Sequence, residues 1–222
     1  YARAGTYASI NTQAVRATSC NSFVNPVTLK AHPGEAVHMP TIAIYAERYL
    51  IFDDLILDGA PSGTPGETLC IGCGFSPKLQ GGGYLRFVNL DIHGNNTLNA
   101  AVTSSIVSVS PGSVGHNEFI GGSVHHGSGV VGDPRNVHGF YISAPFNLVD
   151  GVEIHHTDGY AIHNYSENPS NNVYRNNYIH HTGKSTATVM AIRCTPTCRA
   201  IEALIRSTLG LVTPPCKVRI SR

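Results

Sequence analysis

The chain has no tryptophan, two methionines and few charges, with Asp, Glu, Lys and Arg at 13% of 222 residues. That is about half the share usual in a globular domain, so long charged helices are not expected. Neither sign of charge is in excess: 15 Lys and Arg against 14 Asp and Glu leave +1. The molecule as a whole therefore has no electrostatic reason to hold nucleic acid or an anionic membrane. No apolar run approaches the roughly 18 to 20 residues of a membrane span, and no basic segment followed by a short apolar core opens the chain. It reads as soluble and mature, or as a fragment, with length for one large domain or two small ones.

Glycine (23), proline (13) and histidine (12) are abundant and mark a turn-rich chain. Six cysteines, an even number, are compatible with disulfides and with a secreted or extracellular location. Cys70-x-x-Cys73 and Cys194-x-x-x-Cys198 together have the ligand types of a four-thiolate zinc site. Their separation of about 120 residues is unlike a compact zinc module, and disulfides or buried thiols are the better expectation.

A repeat organises the chain. Its unit is apolar, two residues, apolar, one residue, apolar, then a polar residue or His. The copies are Phe52, Leu55, Leu57, Asp58; Phe87, Leu90, Ile92, His93; Phe119, Gly122, Val124, His125; Val149, Val152, Ile154, His155; and Tyr174, Asn177, Ile179, His180. The third apolar positions are 35, 32, 30 and 25 residues apart. The spacing is not helical; it combines a period of two with a two-residue bend at Asp53-Asp54, Val88-Asn89, Ile120-Gly121, Asp150-Gly151 and Arg175-Asn176. Such units cannot bury their apolar side alone, but stacked copies share a core, which predicts an all-β solenoid. A further strand recurs as Gly139-Phe140-Tyr141-Ile142-Ser143 and Gly159-Tyr160-Ala161-Ile162-His163, giving three strands per turn.

The segments Val137 to His156 and Gly159 to Ile179, with Arg3 to Tyr7, Asn25 to Ala31 and Pro33-Gly34-Glu35, resemble the right-handed parallel β-helix proteins of the pectate-lyase-like group, relatives of polysaccharide lyases. The resemblance covers about residues 1 to 183. It implies a right-handed parallel β-helix and a polysaccharide or oligosaccharide ligand, without fixing the activity. Relatives usually carry a capping helix before the Gly-Thr-Tyr element, so the amino terminus is expected to be truncated. Residues 184–222 depart from the pattern, with seven basic residues against the single acid Glu202. This basic segment is expected to be a divergent cap, with a short helix over Ala200–Arg206, or to be foreign to the repeat, for example through a shifted reading frame. A strand over Val189–Cys194 in register on Gly159–His163 would argue against the second reading.

The insertion from Gly127 to His138 must project from the stack. Strand alternation puts Phe140, Ile142, Tyr160 and Ile162 inside and Tyr141, Ser143, Ala161 and His163 outside. Tyr141, Ser143 and His163 then share one exposed face, flanked by Asp133, Arg135 and His138 of the insertion, with Asp158 at the next turn and Glu167 beyond it. β-Elimination on an acidic polysaccharide needs a cation at the sugar carboxylate, a base and an acid. Arg135, then His163 or His138, then Tyr141 are the candidates for these roles, with Asp133, Asp158 and Glu167 as substrate-binding residues. The lyases of the resembled group typically use Lys or Arg as base, often with calcium, and no complete motif of theirs is present here. Glycoside hydrolysis is the alternative and needs a carboxylate pair, drawn from Asp133, Asp158 and Glu167.

His93, His125, His155 and His180 form one expected column, and His126, His156 and His181 another. Stacked turn residues are the plain reading; neutral imidazoles one coil apart could also hold a metal. A third reading has no catalysis: a solenoid displaying a groove for glycans or proteins. Asn95-Asn96-Thr97 and Asn164-Tyr165-Ser166 match the glycosylation sequon.

Overall fold

The computed structural model describes residues 1–12, 22–59, 66–72, 81–94, 98–100, 104–132, 136–165, 169–183, 192–194, 200–205 and 216–217. The second residue of each expected bend has a positive φ: Asp54 at 55°, Asn89 at 51°, Gly121 at 63°, Gly151 at 69° and Asn176 at 56°. Asp, Asn and Gly visit this left-handed region at least cost. The first four bends each divide a repeat into two short strands, while Asn176 lies within one continuous strand, Val173–Thr182.

Strands before the bend (Val27–Lys30, Leu50–Asp53, Arg86–Val88, Glu118–Ile120 and Leu148–Asp150) pair in parallel, one repeat on the next. Strands after it (Gly5–Thr6, Val37–Met39, Ile56–Leu57, Asp91–His93, Ser123–Gly127 and Glu153–Thr157) do the same. Both sets meet on the long strand Val173–Thr182, which makes one 14-stranded sheet. A third set, Ile10–Asn11, Ile42–Ile44, Leu69–Ile71, Ser104–Val109, Val137–Ile142, Ile162–Asn164 and Ile192–Cys194, forms a seven-stranded parallel sheet. The architecture is all-β with long parallel sheets, compatible with a parallel β-helix.

Register brings like positions together. Phe52, Phe87, Phe119, Val149 and Tyr174 form one row, and Leu57, Ile92, Val124, Ile154 and Ile179 another. All ten are buried. The Phe52, Phe87 and Phe119 rings stack at 5.5 and 4.9 Å. Burying each such side chain contributes on the order of 1.5–3 kcal/mol. Gly122 takes the place of Leu90 and Val152 in this pattern. It has φ 77°, and a Cβ there would lie 2.1 Å from the Leu90 carbonyl oxygen, so no larger residue fits.

A second turn, before the first strand of each repeat, is not marked by Asp, Asn or Gly alone. Tyr49, Tyr84, His116, Phe146 and Asn171 all have φ between 54° and 59°. Stacking compensates: the Tyr49 and Tyr84 rings are 5.1 Å apart, Tyr84 and His116 4.5 Å, and His116 and Phe146 4.7 Å. After His116, Phe146 and Asn171 the next residue inward is a buried asparagine, and these three bond rung to rung, whereas Leu50 and Leu85 follow Tyr49 and Tyr84. Asn147 Oδ1 accepts from the Asn117 amide at 3.2 Å and from Asn117 Nδ2 at 2.8 Å. Asn172 Oδ1 accepts from the Asn147 amide at 2.7 Å. The ladder satisfies backbone donors that the turn would otherwise bury unpaired.

Several expectations are corrected. Ala200–Ile205 is a strand paired with Val173–Thr182, not a helix. The pattern of extended pairing thus continues past residue 183 and overrides the local helical reading. Ile192–Cys194 pairs with Ile162–Asn164, while Val189–Ala191 lie outside the described residues. Phe140 pairs with Ile162, an offset of 22 residues and not 20. Tyr160 and Ala161 precede their strand and escape its alternation: Tyr160 is half-buried and Ala161 fully buried. Ser143, one residue past its strand, is buried because its hydroxyl donates to the Tyr165 carbonyl at 2.9 Å. Asn164 is also buried, donating to the Pro169 carbonyl and accepting from Asn172 and Tyr174, so the folded chain hides this sequon. Cys70 is disulfide-bonded, which removes it from any thiolate zinc set.

Two substitutions test the packing. Ile154→Asp places a charge in the middle of a buried row and should cost about 4 kcal/mol or more, read by chemical denaturation. Asn147→Ala leaves the Asn117 amide without its partner and should cost about 1–3 kcal/mol in the same assay.

Candidate functional site

Tyr141 and His163 are direct partners across two neighbouring strands, and both project from the outer side of the seven-stranded sheet. Their rings meet edge to face at 5.3 Å. His163 is also stacked by Tyr165, at 5.0 Å, and Tyr165 is 44% exposed. Tyr160 closes the cluster, 5.1 Å from His163 and 5.4 Å from His138. The outcome is a patch of three phenols around two imidazoles, with Tyr165 its exposed edge.

Hydrogen bonds fix the protons of the imidazoles. The Tyr160 amide donates to His138 Nδ1 at 3.0 Å, so neutral His138 carries its proton on Nε2. That nitrogen lies 3.0 Å from His163 Nδ1, which therefore accepts and leaves the His163 proton on Nε2. His138 is 1% exposed with both nitrogens engaged. In this arrangement it orients His163 instead of offering a lone pair to a ligand. His163 is itself buried, 8% exposed, and its Nε2 is shielded from solvent. The Tyr141 phenol is pushed above its ordinary pKa by burial, against the opposing hydrogen bond to Ser143. It is thus a proton donor at neutral pH.

Of the other expected site residues, Asp158 is buried, and its Oδ2 accepts from the Ser128 hydroxyl at 2.8 Å and the Gly129 amide at 3.1 Å. It pins the start of the Gly129–Gly132 strand. Asp133, Arg135 and Glu167 lie outside the described residues. Arg193 was not singled out in the sequence; backbone register places it directly beside His163, on the strand after. The signal that identifies it is the continuation of the third strand set beyond residue 183.

The imidazole columns form on the other sheet. His125 stacks on His155 at 4.9 Å and His155 on His180 at 4.9 Å. His126, His156 and His181 stack at 4.8 and 4.9 Å, each with φ between 51° and 57°. His93 pairs with His125 through the backbone, yet its ring lies flat against His126 at 5.2 Å. The next residue, Gly94, has no side chain, which leaves the second column open for His93 to fill. Calcium, which the resemblance implies for some relatives, requires oxygen ligands. Among the described residues, the group of three metal-binding side chains with mutually close donor atoms is His93, His125 and His126, all nitrogen donors, and it does not fit calcium.

Comparison with protein-family models, with curated proteins and with solved structures finds no match to this chain.

Burial, reinforced by repulsion from His125, His180 and His156 and opposed by Glu153, lowers the His155 pKa to about 4. His126 and His156 shift the same way, first through burial and then through neighbouring imidazoles. The unfolded chain, with ordinary histidines near 6.5, binds these protons first as pH falls. Stability is therefore complete above about pH 6.5 and is lost between there and about pH 4. Melting in the presence of chelator should occur several degrees lower at pH 5 than at pH 8; identical melting temperatures would contradict this.

Proposed function

We propose that the chain is a right-handed parallel β-helix of the pectate-lyase-like group, secreted, that acts on an acidic polysaccharide by β-elimination at the Tyr141–His163 face. The observation that carries the proposal is the pairing of the Tyr141 phenol, a proton donor, with the His163 imidazole on one row of the seven-stranded sheet, bordered by the exposed Tyr165 ring. Sugars bind against aromatic faces with a few placed polar groups, and this patch offers both. The Cys70 disulfide supports a location outside the reducing cytosol. The near-neutral charge supports neither nucleic acid nor an anionic membrane as partner.

The roles differ in part from those expected of the sequence. Tyr141 protonates the leaving oxygen. His163 positions the Tyr141 phenol through its edge-to-face ring contact, and His138 holds His163 in place by hydrogen bond. Because neither imidazole offers a free lone pair in this tautomer, the base falls to an arginine, the residue type that the resemblance implies. Arg135 and Arg193 are the two candidates. No step passes through calcium. For hydrolysis, the described carboxylate, Asp158, is engaged in a turn, and no observation favours that reading. Binding without elimination is the second reading, favoured by the ring contacts that Tyr165 and Tyr160 make with His163.

A screen of acidic and neutral polysaccharides, run with added calcium and with chelator, tests the proposal. Unsaturated products absorbing in the ultraviolet, formed equally in chelator, are expected. Tyr141→Phe should lower kcat by about 100-fold or more with nearly unchanged melting, and His163→Gln by about 100- to 1,000-fold. Reducing ends without ultraviolet absorbance would replace elimination by hydrolysis. Binding without any product would leave a glycan-binding solenoid.

A further inference from the structure

The first rung of the histidine ladder brings three imidazoles together where later rungs have pairs. One donor atom from each of His93, His125 and His126 lies within 4.8 Å of the others. We propose that these three residues bind a divalent transition ion of the zinc class.

Hydrogen bonds set which nitrogen of each ring keeps its lone pair. His93 Nδ1 donates to the Gly94 carbonyl, which leaves Nε2 as its lone-pair nitrogen. His125 Nε2 donates to Asp91 Oδ1 at 2.7 Å, which leaves Nδ1. Asp91 is itself held by the Ser123 hydroxyl at 2.5 Å. His125 Nδ1 is 2.7 Å from His126 Nδ1, a distance that requires one proton between two nitrogens. A divalent ion takes the place of that proton, which moves to His126 Nε2, so the charge of the protein is unchanged and the ion gains three neutral ligands.

Tetrahedral bonds of about 2.0–2.1 Å set ligand nitrogens roughly 3.3 Å apart, so the His125–His126 pair must open by about 0.6 Å and the widest gap must close by about 1.5 Å at most. Side-chain rotation provides that. The carboxylate behind His125 is the partner that metal-bound imidazoles commonly keep, fixing tautomer and ring orientation. Three imidazoles select zinc, nickel, cobalt or copper over calcium or magnesium. The fourth position remains for water or a ligand. The same Nδ1 contacts recur at His155–His156 and His180–His181, both 2.6 Å, and His180 meets Glu153 at 2.9 Å. Those rungs lack the single histidine followed by glycine that turns a third ring into the second column.

The site is separate from the Tyr141–His163 face, and its test does not depend on the glycan reading. The full chain, stripped with chelator, is titrated with zinc chloride by calorimetry and with cobalt(II) by visible absorption. One tight equivalent of zinc and the intense absorption of tetrahedral cobalt are expected, with no response to calcium. His126→Asn retains a residue that tolerates the left-handed backbone and should abolish both signals; His93→Gln should do the same. Asp91→Asn should weaken zinc about 10- to 100-fold. His181→Asn, at the far end of the ladder, should change neither. Melting of the metal-free variants verifies folding. Absence of saturable zinc binding by the wild type, or equal affinity in folded His126→Asn and His93→Gln, would overturn the proposal.

Discussion

A parallel strand of three residues has unpaired donors and acceptors on both edges and becomes stable only between two neighbours. In this chain the neighbours are supplied by the chain itself, 25 to 35 residues earlier and later in the main repeat. Each position then rests on its own counterpart. Apolar side chains meet apolar ones in Leu57, Ile92, Val124, Ile154 and Ile179, and rings meet rings in Phe52, Phe87 and Phe119. Any deviation in one repeat is felt by the repeats on either side, so pairing is both the source of stability and the reason for uniformity.

The same stacking that builds the core is unfavourable for charge. Imidazoles stacked 4.9 Å apart repel one another when charged, and that repulsion adds to burial in lowering the His155 pKa. The ladder is therefore quiet at neutral pH and strained in acid. The asparagine ladder shows the opposite case. Amide groups carry donor and acceptor together, so Asn117, Asn147 and Asn172 satisfy one another without any charge. Both columns come from one geometric fact, and their chemistry decides whether it stabilises.

Much of this was legible in the sequence. The apolar triplets and the bends at Asp54, Asn89, Gly121, Gly151 and Asn176 carry their own chemistry, a period of two and residues that accept positive φ. The second turn, at Tyr49, Tyr84, His116 and Phe146, was not legible, because nothing in an aromatic side chain signals a left-handed backbone. Only the stack of rings compensates, and a stack is a property of several rungs. Tyr141 and His163 do lie on a common face, since alternation holds within a strand, but the rings of Tyr160 and Tyr165 bury His163 there where exposure was expected. Alternation fails outside strands, which is why Ala161 and Ser143 are buried against expectation and Tyr160 is only half-buried. The tautomers of His138 and His163 depend on the Tyr160 amide, a backbone group that sequence cannot locate. The register partner Arg193 was hidden by the change in composition after Gly183.

The central claim is that equivalent positions of successive repeats pair in parallel and in register. Nuclear Overhauser contacts between backbone protons of isotopically labelled protein test it most directly. The account predicts interstrand contacts linking Phe87 to Phe119, Phe119 to Val149 and Val149 to Tyr174, with the parallel pattern throughout. Antiparallel contacts, or none between these residues, would contradict it.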